Sequence, residues 1–386
     1  MKLTPDQDAI REGVRALCAR FDAAYWRRLD AEHRFPHEFH AAVAEAGFLG
    51  ICIPPEYGGS GLGITEAAIM MEAIAGSGAG MSGASAIHMN IFGLNPVVMF
   101  GSAEQKARFL PPLAAGRHKA CFGVTEPTTG LDTTRLKTRA ERVGDVYRVT
   151  GQKVWISTAQ VATHILLLAR TTPLEACARP TEGLSLFYTP LDRHRATVRE
   201  IAKMGRAAVD SNEIFFDGYE IPAADRIGEE GQGFRMILHG LNPERILIAA
   251  EAVGLGRAAL ARATAYARER VVFGRPIGQN QGVAFPLAED WMALEAAWLM
   301  TLSAAQRYDS GEPCGAEANA AKYLAAEACL KACQDAVMTH GGFGYAREYD
   351  VERYLREAQI PWIAPVSPNL IRAYIAERVL GLPKSY

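Results

Sequence analysis

The chain has 386 residues, of which 49% are hydrophobic and 22% are charged, and its formal net charge at pH 7 is −2. This length exceeds what one simple hydrophobic core usually supports, so two or three packed units are expected. The charge is close to neutral and no long run of one sign occurs, which argues against a surface for nucleic acid or for anionic membranes.

The cysteines and the N-terminus exclude several further classes. The seven cysteines are scattered and form no Cys-x-x-Cys motif, and no histidines cluster at the spacing of metal ligands. We therefore expect buried, reduced thiols and no bound metal. The N-terminus has neither the apolar core of a signal peptide nor the Arg/Ser-rich character of a transit peptide, and no apolar run reaches membrane-spanning length. The sequence predicts a cytoplasmic protein without membrane insertion.

Residues 1–118 carry the start and stop signals of helices. Thr4 and Gln7 form a capping box with Pro5 in the first turn, and apolar residues then recur at helical spacing. Further helices are predicted over 36–47, 64–74 and 102–113, the last of them with a capping box. The first third of the chain is therefore predicted to be an N-terminal α-helical domain.

Residues 119–228 consist of short segments rich in β-branched and aromatic residues, with turn residues between them. Strands are predicted over 143–150, 153–156, 163–169, 184–188, 197–201 and 212–216. This composition predicts a central antiparallel β domain.

Residues 229–386 return to alanine- and leucine-rich helical patterns, which predict a C-terminal four-helix bundle and an α+β fold for the whole chain. The predicted helices cover 242–270, 280–310, 314–340 and 348–358. At the start of the first, Asn242 is read as the N-cap, Pro243 as a first-turn proline, and Glu244 as an acid in the positive field of the helix start. That placement by itself explains an acid there without any catalytic role.

Two segments of the β domain are candidate ligand sites. Residues 122–132 form a strand end running into a turn, where hydroxyl and backbone N–H groups gather; a planar polar ligand or an ordinary loop both explain the pattern. On the next predicted strand, Trp155 and Ser157 lie on one face because side chains alternate. A core tryptophan is the alternative explanation there.

Two segments of the predicted bundle are also candidates. Arg270 follows a helix end, where a guanidinium group meets either a phosphate or the negative end of the helix dipole. Gly341 and Gly342 follow another helix, where glycines permit a close approach of a ligand or simply end the helix.

Together and in this order, these segments resemble the acyl-CoA dehydrogenase family. The resemblance runs from residues 47–51 (Gly-Phe-Leu-Gly-Ile) to residues 376–378 (Ala-Glu-Arg). It implies a homotetramer of helical, β and helical domains, with FAD between the β domain and the C-terminal bundle and partly completed by a neighbouring subunit. It also implies an acyl-CoA substrate and an electron-transfer flavoprotein as electron acceptor.

The resemblance assigns residues position by position. Those expected to line the flavin and its pyrophosphate, or to lie by the isoalloxazine ring, are Phe122, Val124, Thr125, Gly130, Trp155 and Ser157. Those expected to meet the FAD of the adjacent subunit are Arg270, Phe273, Gln281, Gly341 and Gly342. Further cofactor contacts are expected at Ser367 and Asn369, and substrate contacts at Leu131, Asn242 and Arg245.

The chain departs from the family pattern at several positions. Thr129 and Leu131 replace the usual small and hydroxyl residues around Gly130, and Met338 replaces a glutamine. The largest departure is Pro365, which stands where many members carry the catalytic glutamate in a Tyr-Glu-Gly-Thr loop. Proline has neither a basic side chain nor an N–H to offer.

Isovaleryl-CoA dehydrogenase and its relatives place the glutamate instead in a Leu-Asp-Leu-Glu-Arg stretch, which resembles residues 241–245 here (Leu-Asn-Pro-Glu-Arg). Glu244 is therefore the predicted base, and Glu251 on the same helix is the next candidate. The resemblance implies removal of an α proton by this base and transfer of a hydride from the β carbon to the flavin. The alternatives are an oxidase or monooxygenase of the same fold and a catalytically silent acyl-CoA-binding subunit.

Overall fold

The computed structural model describes residues 2–91 and 94–384, which form N-terminal helices, a central sheet and C-terminal helices. This is the predicted α+β architecture. The helices before the sheet are α1 (Pro5–Cys18), α2 (Ala23–Glu32), α3 (His37–Glu45), α4 (Ile64–Ile74), α5 (Gly80–Ile91), α6 (Asn95–Phe100) and α7 (Ala103–Ala114). A π-helical turn, Ala75–Ala79, joins α4 to α5.

Local capping begins two of these helices as the sequence predicts, whereas a third depends on tertiary structure. Thr4 and Gln7 form the capping box of α1, and an equivalent pair caps α7. Helix α4 has its N-terminus at the predicted residue, but Asp309 from a distant helix caps it. Its carboxylate accepts the backbone N–H groups of Ile64 and Thr65, both at 2.8 Å. A carboxylate at this end also opposes the positive pole of the helix dipole.

The central strands form one eight-stranded sheet in the order β6-β7-β3-β2-β4-β5-β8, with β1 pairing with β4. Most pairs are antiparallel, as predicted, but β1 and β2 both run parallel to β4. The strands are β1 (Ala120–Gly123), β2 (Arg139–Val143), β3 (Val146–Ser157), β4 (His164–Arg170), β5 (Leu184–Pro190), β6 (Ala196–Glu200), β7 (Ser211–Pro222) and β8 (Arg226–Ile227).

Strand β4 is buried on both faces of the sheet. Leu166 and Leu168 pack on one side with residues of α7, whereas Ile165 and Leu167 pack on the other with β3 and β7. This explains why the predicted strand is a continuous apolar run rather than an alternating one. Both faces of the sheet are therefore covered at β4, and the face that carries Leu166 and Leu168 lies against helix α7.

Long helices follow the sheet. They are α8 (Gly233–Glu269), α9 (Gln281–Asp309) and α10 (Gly315–His340), followed by the shorter α11 (Val351–Glu357), α12 (Gln359–Ile363) and α13 (Pro368–Tyr374). A hairpin of β9 (Val271–Val272) and β10 (Arg275–Pro276) connects α8 to α9. The N-terminal helices α4 and α5 pack against α8, so both helical parts of the chain share one hydrophobic core.

The predicted start of α8 is wrong. The helix begins at Gly233, so Pro243 lies in its interior and Glu244 is not in the first turn. Pro243 has no N–H to donate to the carbonyl of His239, which normally weakens a helix. Burial of Met236 and Ile237 against the sheet stabilises the additional turns, which the local cap signal does not reveal.

The seven cysteines are free thiols, and five of them are buried. Across the described ranges, no group of three His, Cys, Asp or Glu side chains has the geometry to hold a metal ion. Among those same residues, no helix combines the length and the hydropathy needed to cross a bilayer.

Candidate functional site

Glu244 carries a half-buried carboxylate in the interior of α8. Within residues 2–91 and 94–384, its oxygens accept no hydrogen bond and form no ion pair. Burial raises the pKa of its carboxyl to about 7, against the opposing charges of His88, Arg245 and Lys322. The nearby carboxylate of Glu251 raises this pKa further. A free carboxylate with a pKa near neutrality suits a general base.

Lys322 on α10 connects Glu244 to the loop that contains Pro365. Its ammonium group is buried and donates to the backbone carbonyls of Val366 at 2.7 Å and Trp362 at 3.2 Å. Burial lowers the pKa of Lys322 to about 8, and the charge of Glu244 acts in the opposite direction. The ammonium group therefore holds the chain on both sides of Pro365 and interacts with the carboxyl of Glu244 through its charge.

His88 on α5 and Glu251 on α8 form a buried pair beside Glu244. The His88 Nδ1 lies 2.5 Å from the Glu251 Oε1, and the Glu251 side chain has no exposed surface. Burial alone would lower the pKa of His88, but the charge and hydrogen bond of Glu251 outweigh it and raise the pKa above its usual value. Because Glu251 is enclosed and paired, it is not accessible as an alternative base.

Arg206 joins the sheet to α5 near the same place. Its guanidinium group is buried and donates to the hydroxyls of Ser85 and Ser157, both at 3.0 Å, and of Ser211 at 3.2 Å. Burial lowers the pKa of Arg206. Since Ser157 is a predicted cofactor residue and Ser85 precedes His88 by one turn of α5, Arg206 links the predicted cofactor site to the surroundings of Glu244.

The turn after β1 is held by a buried ion pair. The Lys153 Nζ lies 2.9 Å from the Glu126 Oε1 and 2.9 Å from the carbonyl oxygen of Val124. Glu126 also accepts the backbone N–H groups of Lys137 at 2.7 Å and Thr138 at 2.9 Å. This network fixes the backbone between Val124 and Gly130, where the resemblance places the flavin and its pyrophosphate.

Trp155 and Ser157 lie at the end of β3, where the strand departs from the regular alternation of side chains between its two faces. The pairing of β3 with β7 shifts register between Lys153 and Ile156, and Trp155 has a positive φ of 61°. A bulge interrupts the pleat here, so the alternation behind the prediction is not regular, and the shared face of Trp155 and Ser157 stays a prediction. Trp155 is also not a core residue, since 60% of it is exposed. An exposed indole on a fixed strand is available to contact a planar ligand.

Residues assigned to the neighbouring subunit's cofactor lie at the other end of α8. Phe273 is fully exposed at the tip of the β9–β10 hairpin, where it and Gly274 both have positive φ, as a two-residue turn requires. Arg270 and Gln281 are exposed on either side of this hairpin. The Arg270 guanidinium lies 5.8 Å from the ring centroid of Phe343, in the turn that contains Gly341 and Gly342.

The glycines of the predicted cofactor site have open space where a side chain would project. A Cβ atom at Gly130, Gly341 or Gly342 would meet no atom of the described chain within 4 Å. Only Gly341, with a φ of 60°, needs glycine for its own backbone conformation. The open space at all three fits close approach of a cofactor to the backbone.

The remaining assigned residues divide into two kinds. Ser367 caps α13 through its hydroxyl, which accepts the N–H of Leu370, and Asn369 is exposed in the first turn of that helix. Asn242 accepts a hydrogen bond at 3.0 Å from Arg245, next to Glu244, whereas Leu131 is exposed in the turn after β1. The structure thus brings Asn242 and Arg245 to the candidate base.

Two concave surfaces lie away from these residues. One, of about 470 Å³, is lined by parts of α1, α4 and α9, including Gln7, Glu66 and Asp309. The other, of about 370 Å³, lies between α7 and β8 and includes Gln105 and Arg226. Neither contains a predicted site residue, and the capping interaction of Asp309 already explains the polar character of the first.

Sequence reasoning did not identify His88, Arg206 or Lys322 as site residues. Each is a single polar residue within a segment that otherwise reads as helix core or loop, without a motif around it. Their shared signal is burial of a charged group, which becomes visible only in the tertiary structure.

Comparison with known proteins covers nearly the whole chain. Family models for the N-terminal, middle and C-terminal domains of acyl-CoA dehydrogenases match residues 4–117, 121–219 and 231–380. An acyl-CoA dehydrogenase of Bacillus subtilis is 34% identical over 99% of this chain and 100% of its own length. The solved structure of a glutaryl-CoA dehydrogenase with glutaryl-CoA has a TM-score of 0.94 and 30% identity, covering 100% of this chain and 98% of that one. The prolyl acyl carrier protein oxidase AnaB has a TM-score of 0.89 and 29% identity, covering 99% and 100%.

Proposed function

The chain belongs to the acyl-CoA dehydrogenase family of flavin-dependent oxidoreductases, and we propose that it oxidises an acyl-CoA thioester to the trans-2-enoyl-CoA with Glu244 as the base. The observation that carries this proposal is the half-buried carboxylate of Glu244, which has no hydrogen bond or ion pair among the described residues and whose pKa is raised to about 7. Pro365 occupies the other position at which the resemblance places a base, and it cannot accept a proton.

In the proposed reaction, Glu244 removes a proton from the α carbon of the acyl group. The flavin, when bound, supplies the acceptor for the hydride that leaves the β carbon. Asn242 and Arg245 flank the base on α8, where their hydrogen bond fixes both side chains. We assign these two residues and Leu131 to substrate binding.

The thioester carbonyl also needs a hydrogen-bond donor, because its α proton is too weakly acidic for an unaided carboxylate at neutral pH. Around Pro365, the N–H of Ala364 already donates to the carbonyl of Ile360 at 2.9 Å. We therefore assign the donor role to the N–H of Val366, whose residue is held in place through its carbonyl by Lys322. This arrangement replaces the N–H that Pro365 lacks.

We propose FAD as the cofactor and assign the residues of the β domain to one half of its site. Trp155 and the Val124–Gly130 backbone would hold the flavin side. The hairpin with Arg270 and Phe273 is exposed, and we assign it to the FAD of a neighbouring subunit. Such sharing requires an oligomer, and exposed apolar side chains on α9 offer a surface for one. They are Phe285, Trp291, Met292 and Leu299.

We expect the purified protein to be a yellow homotetramer that carries FAD rather than FMN, because the exposed hairpin at Arg270 is assigned to the adenine half of a cofactor from another subunit. Light scattering at micromolar concentration measures the mass, and chromatography of heat-released flavin identifies the cofactor. A stable monomer that retains FAD, or a protein that binds only FMN after reconstitution, would contradict the shared site.

Two electron acceptors are compatible with this site chemistry. We propose an electron-transfer flavoprotein as the acceptor. The similarity to an acyl carrier protein oxidase supports a second candidate function, in which oxygen takes the electrons instead. A catalytically silent binding subunit is disfavoured, because such a subunit would not need a partner-free carboxylate at Glu244.

Anaerobic mixing with a panel of acyl-CoA thioesters tests the proposed reaction. We expect at least one thioester to bleach the flavin absorbance, because a carboxyl with a pKa of about 7 at Glu244 suits removal of the α proton. Steady-state oxygen consumption with that thioester then separates the acceptors: slow uptake supports the dehydrogenase, and uptake that matches turnover supports the oxidase. Absence of bleaching across short, long and branched acyl groups would refute acyl-CoA oxidation.

A further inference from the structure

The carboxylate of Glu251 is a charged group next to the proposed base that the reaction does not use. It lies seven residues after Glu244 on α8, which is close to two helical turns, so the two glutamates share one face of the helix. Its Oε1 is paired with the His88 Nδ1 at 2.5 Å, and its Oε2 is buried without a hydrogen-bond partner in the described part of the chain.

A carboxylate enclosed in this way needs a positive partner. Burial of an unpaired carboxylate costs several kcal/mol or makes the group take up a proton. His88, which projects from α5 and is itself nearly buried, is its ion-pair partner in the described part of the chain. The pairing in turn favours a protonated imidazole, since Glu251 and Glu244 both raise the pKa of His88, against burial and the charge of Arg206.

The charge of the His88 imidazole lowers the pKa of Glu244 and so favours the ionised carboxylate that a base requires. Among the charged groups around Glu244, His88 has the largest effect and lowers the pKa of its carboxyl, followed by Arg245 on the same helix. Glu251 raises it and Lys322 from α10 lowers it, both by less. A protonated His88 therefore outweighs the direct repulsion between the two glutamates.

We propose that Glu251 is a positioning residue for the proposed base: it holds a proton on His88, and the resulting imidazolium stabilises the ionised form of Glu244. The inference rests on the proposed function, because it takes Glu244 as the base. Glu251 thus acts through His88 and does not touch the substrate.

The pH dependence of flavin reduction tests this role. In the wild-type protein, the anaerobic reduction rate should fall as the pH drops through about 7, because protonated Glu244 cannot accept the α proton. In Glu251→Gln, His88 loses its proton, and we expect the midpoint of this fall to rise by roughly half to one pH unit. Above the new midpoint, the rate should return to within about twofold of the wild type.

Two further variants separate charge from packing. The double variant His88→Asn/Glu251→Gln should share the pH profile of Glu251→Gln, because both leave the base beside an uncharged pair. A purely structural role predicts instead a lower rate at every pH with an unchanged midpoint, and that result would overturn the proposal. So would different midpoints for the single and the double variant.

A measurement without turnover makes the test independent of the substrate. Nuclear magnetic resonance of protein labelled at its nine histidines reports each imidazole, and His88→Asn identifies the signal of His88. We expect the imidazole of His88 to keep its proton to a higher pH than an ordinary histidine in the wild type, and to lose it at a lower pH in Glu251→Gln. Identical titration in both proteins would refute the inference, even if acyl-CoA bleaches the flavin. If no acyl-CoA bleaches it, the proposed function fails, and this titration still decides the pairing.

Discussion

Glu244→Gln is expected to slow flavin reduction by acyl-CoA by about 10³-fold or more. Glutamine preserves the shape of the side chain but cannot accept the α proton, and the described site offers no accessible second carboxylate. Stopped-flow absorbance under anaerobic conditions measures this rate directly. Flavin content should stay unchanged, because Glu244 is not assigned to the cofactor.

The melting temperature of Glu244→Gln should not fall either. The physical reason differs from the one that the sequence suggests. The predicted first-turn position implies a small stabilising interaction with the helix dipole, but Glu244 lies in the interior of α8. Burial raises its pKa from the usual 4.5 to about 7, so this carboxyl lowers stability progressively as the pH rises from about 4.5 to about 7 and by its full amount above that, and a neutral amide relieves the cost. Glu12→Gln, at an exposed position on α1, is the matched control and should reduce its flavin normally.

If acyl-CoA reduces the flavin of Glu244→Gln at the wild-type rate, the base must be another residue. The sequence offers Glu251 as the next candidate, but its enclosure and its bond to His88 remove it from that role. In that event the assignment of the reaction itself would need revision, since Pro365 offers no base.

Lys153→Met is expected to destabilise the protein by about 3–5 kcal/mol, because it leaves the carboxylate of Glu126 buried without its ion-pair partner. The carbonyl of Val124 would lose a hydrogen bond as well, so the turn before Gly130 should shift and weaken flavin binding. Urea unfolding at fixed protein concentration measures the free energy of unfolding, and flavin fluorescence measures cofactor release.

A double variant and an exposed lysine complete this experiment. In Glu126→Gln/Lys153→Met no buried charge remains, so part of the lost stability should return. Lys137→Met, at an exposed position just before β2, should change the free energy of unfolding by less than about 0.5 kcal/mol. If Lys153→Met costs no more than Lys137→Met, the ion pair does not hold this turn.

Local signals in the sequence were sufficient wherever a structural element depends on its own residues. The capping boxes at Thr4 and Ser102 begin α1 and α7, since a hydroxyl and a side-chain amide satisfy nearby N–H groups without help from the rest of the chain. The same signals failed at Asn242 and Pro243, because packing of Met236 and Ile237 against the sheet extends α8 beyond its local start. Near Trp155 they did not reveal the bulge that pairing with β7 imposes.

The sequence by itself determined the order of helices, strands and helices, the resemblance to the family, and the choice of Glu244 once Pro365 was found at the usual position of the base. Only the tertiary structure decided what surrounds that carboxylate. His88, Glu244 and Lys322 are far apart in the chain and come together because α5 and α10 both pack against α8. The pKa of a carboxyl depends on burial and on charges within a few ångströms, and neither quantity is fixed until distant helices have packed.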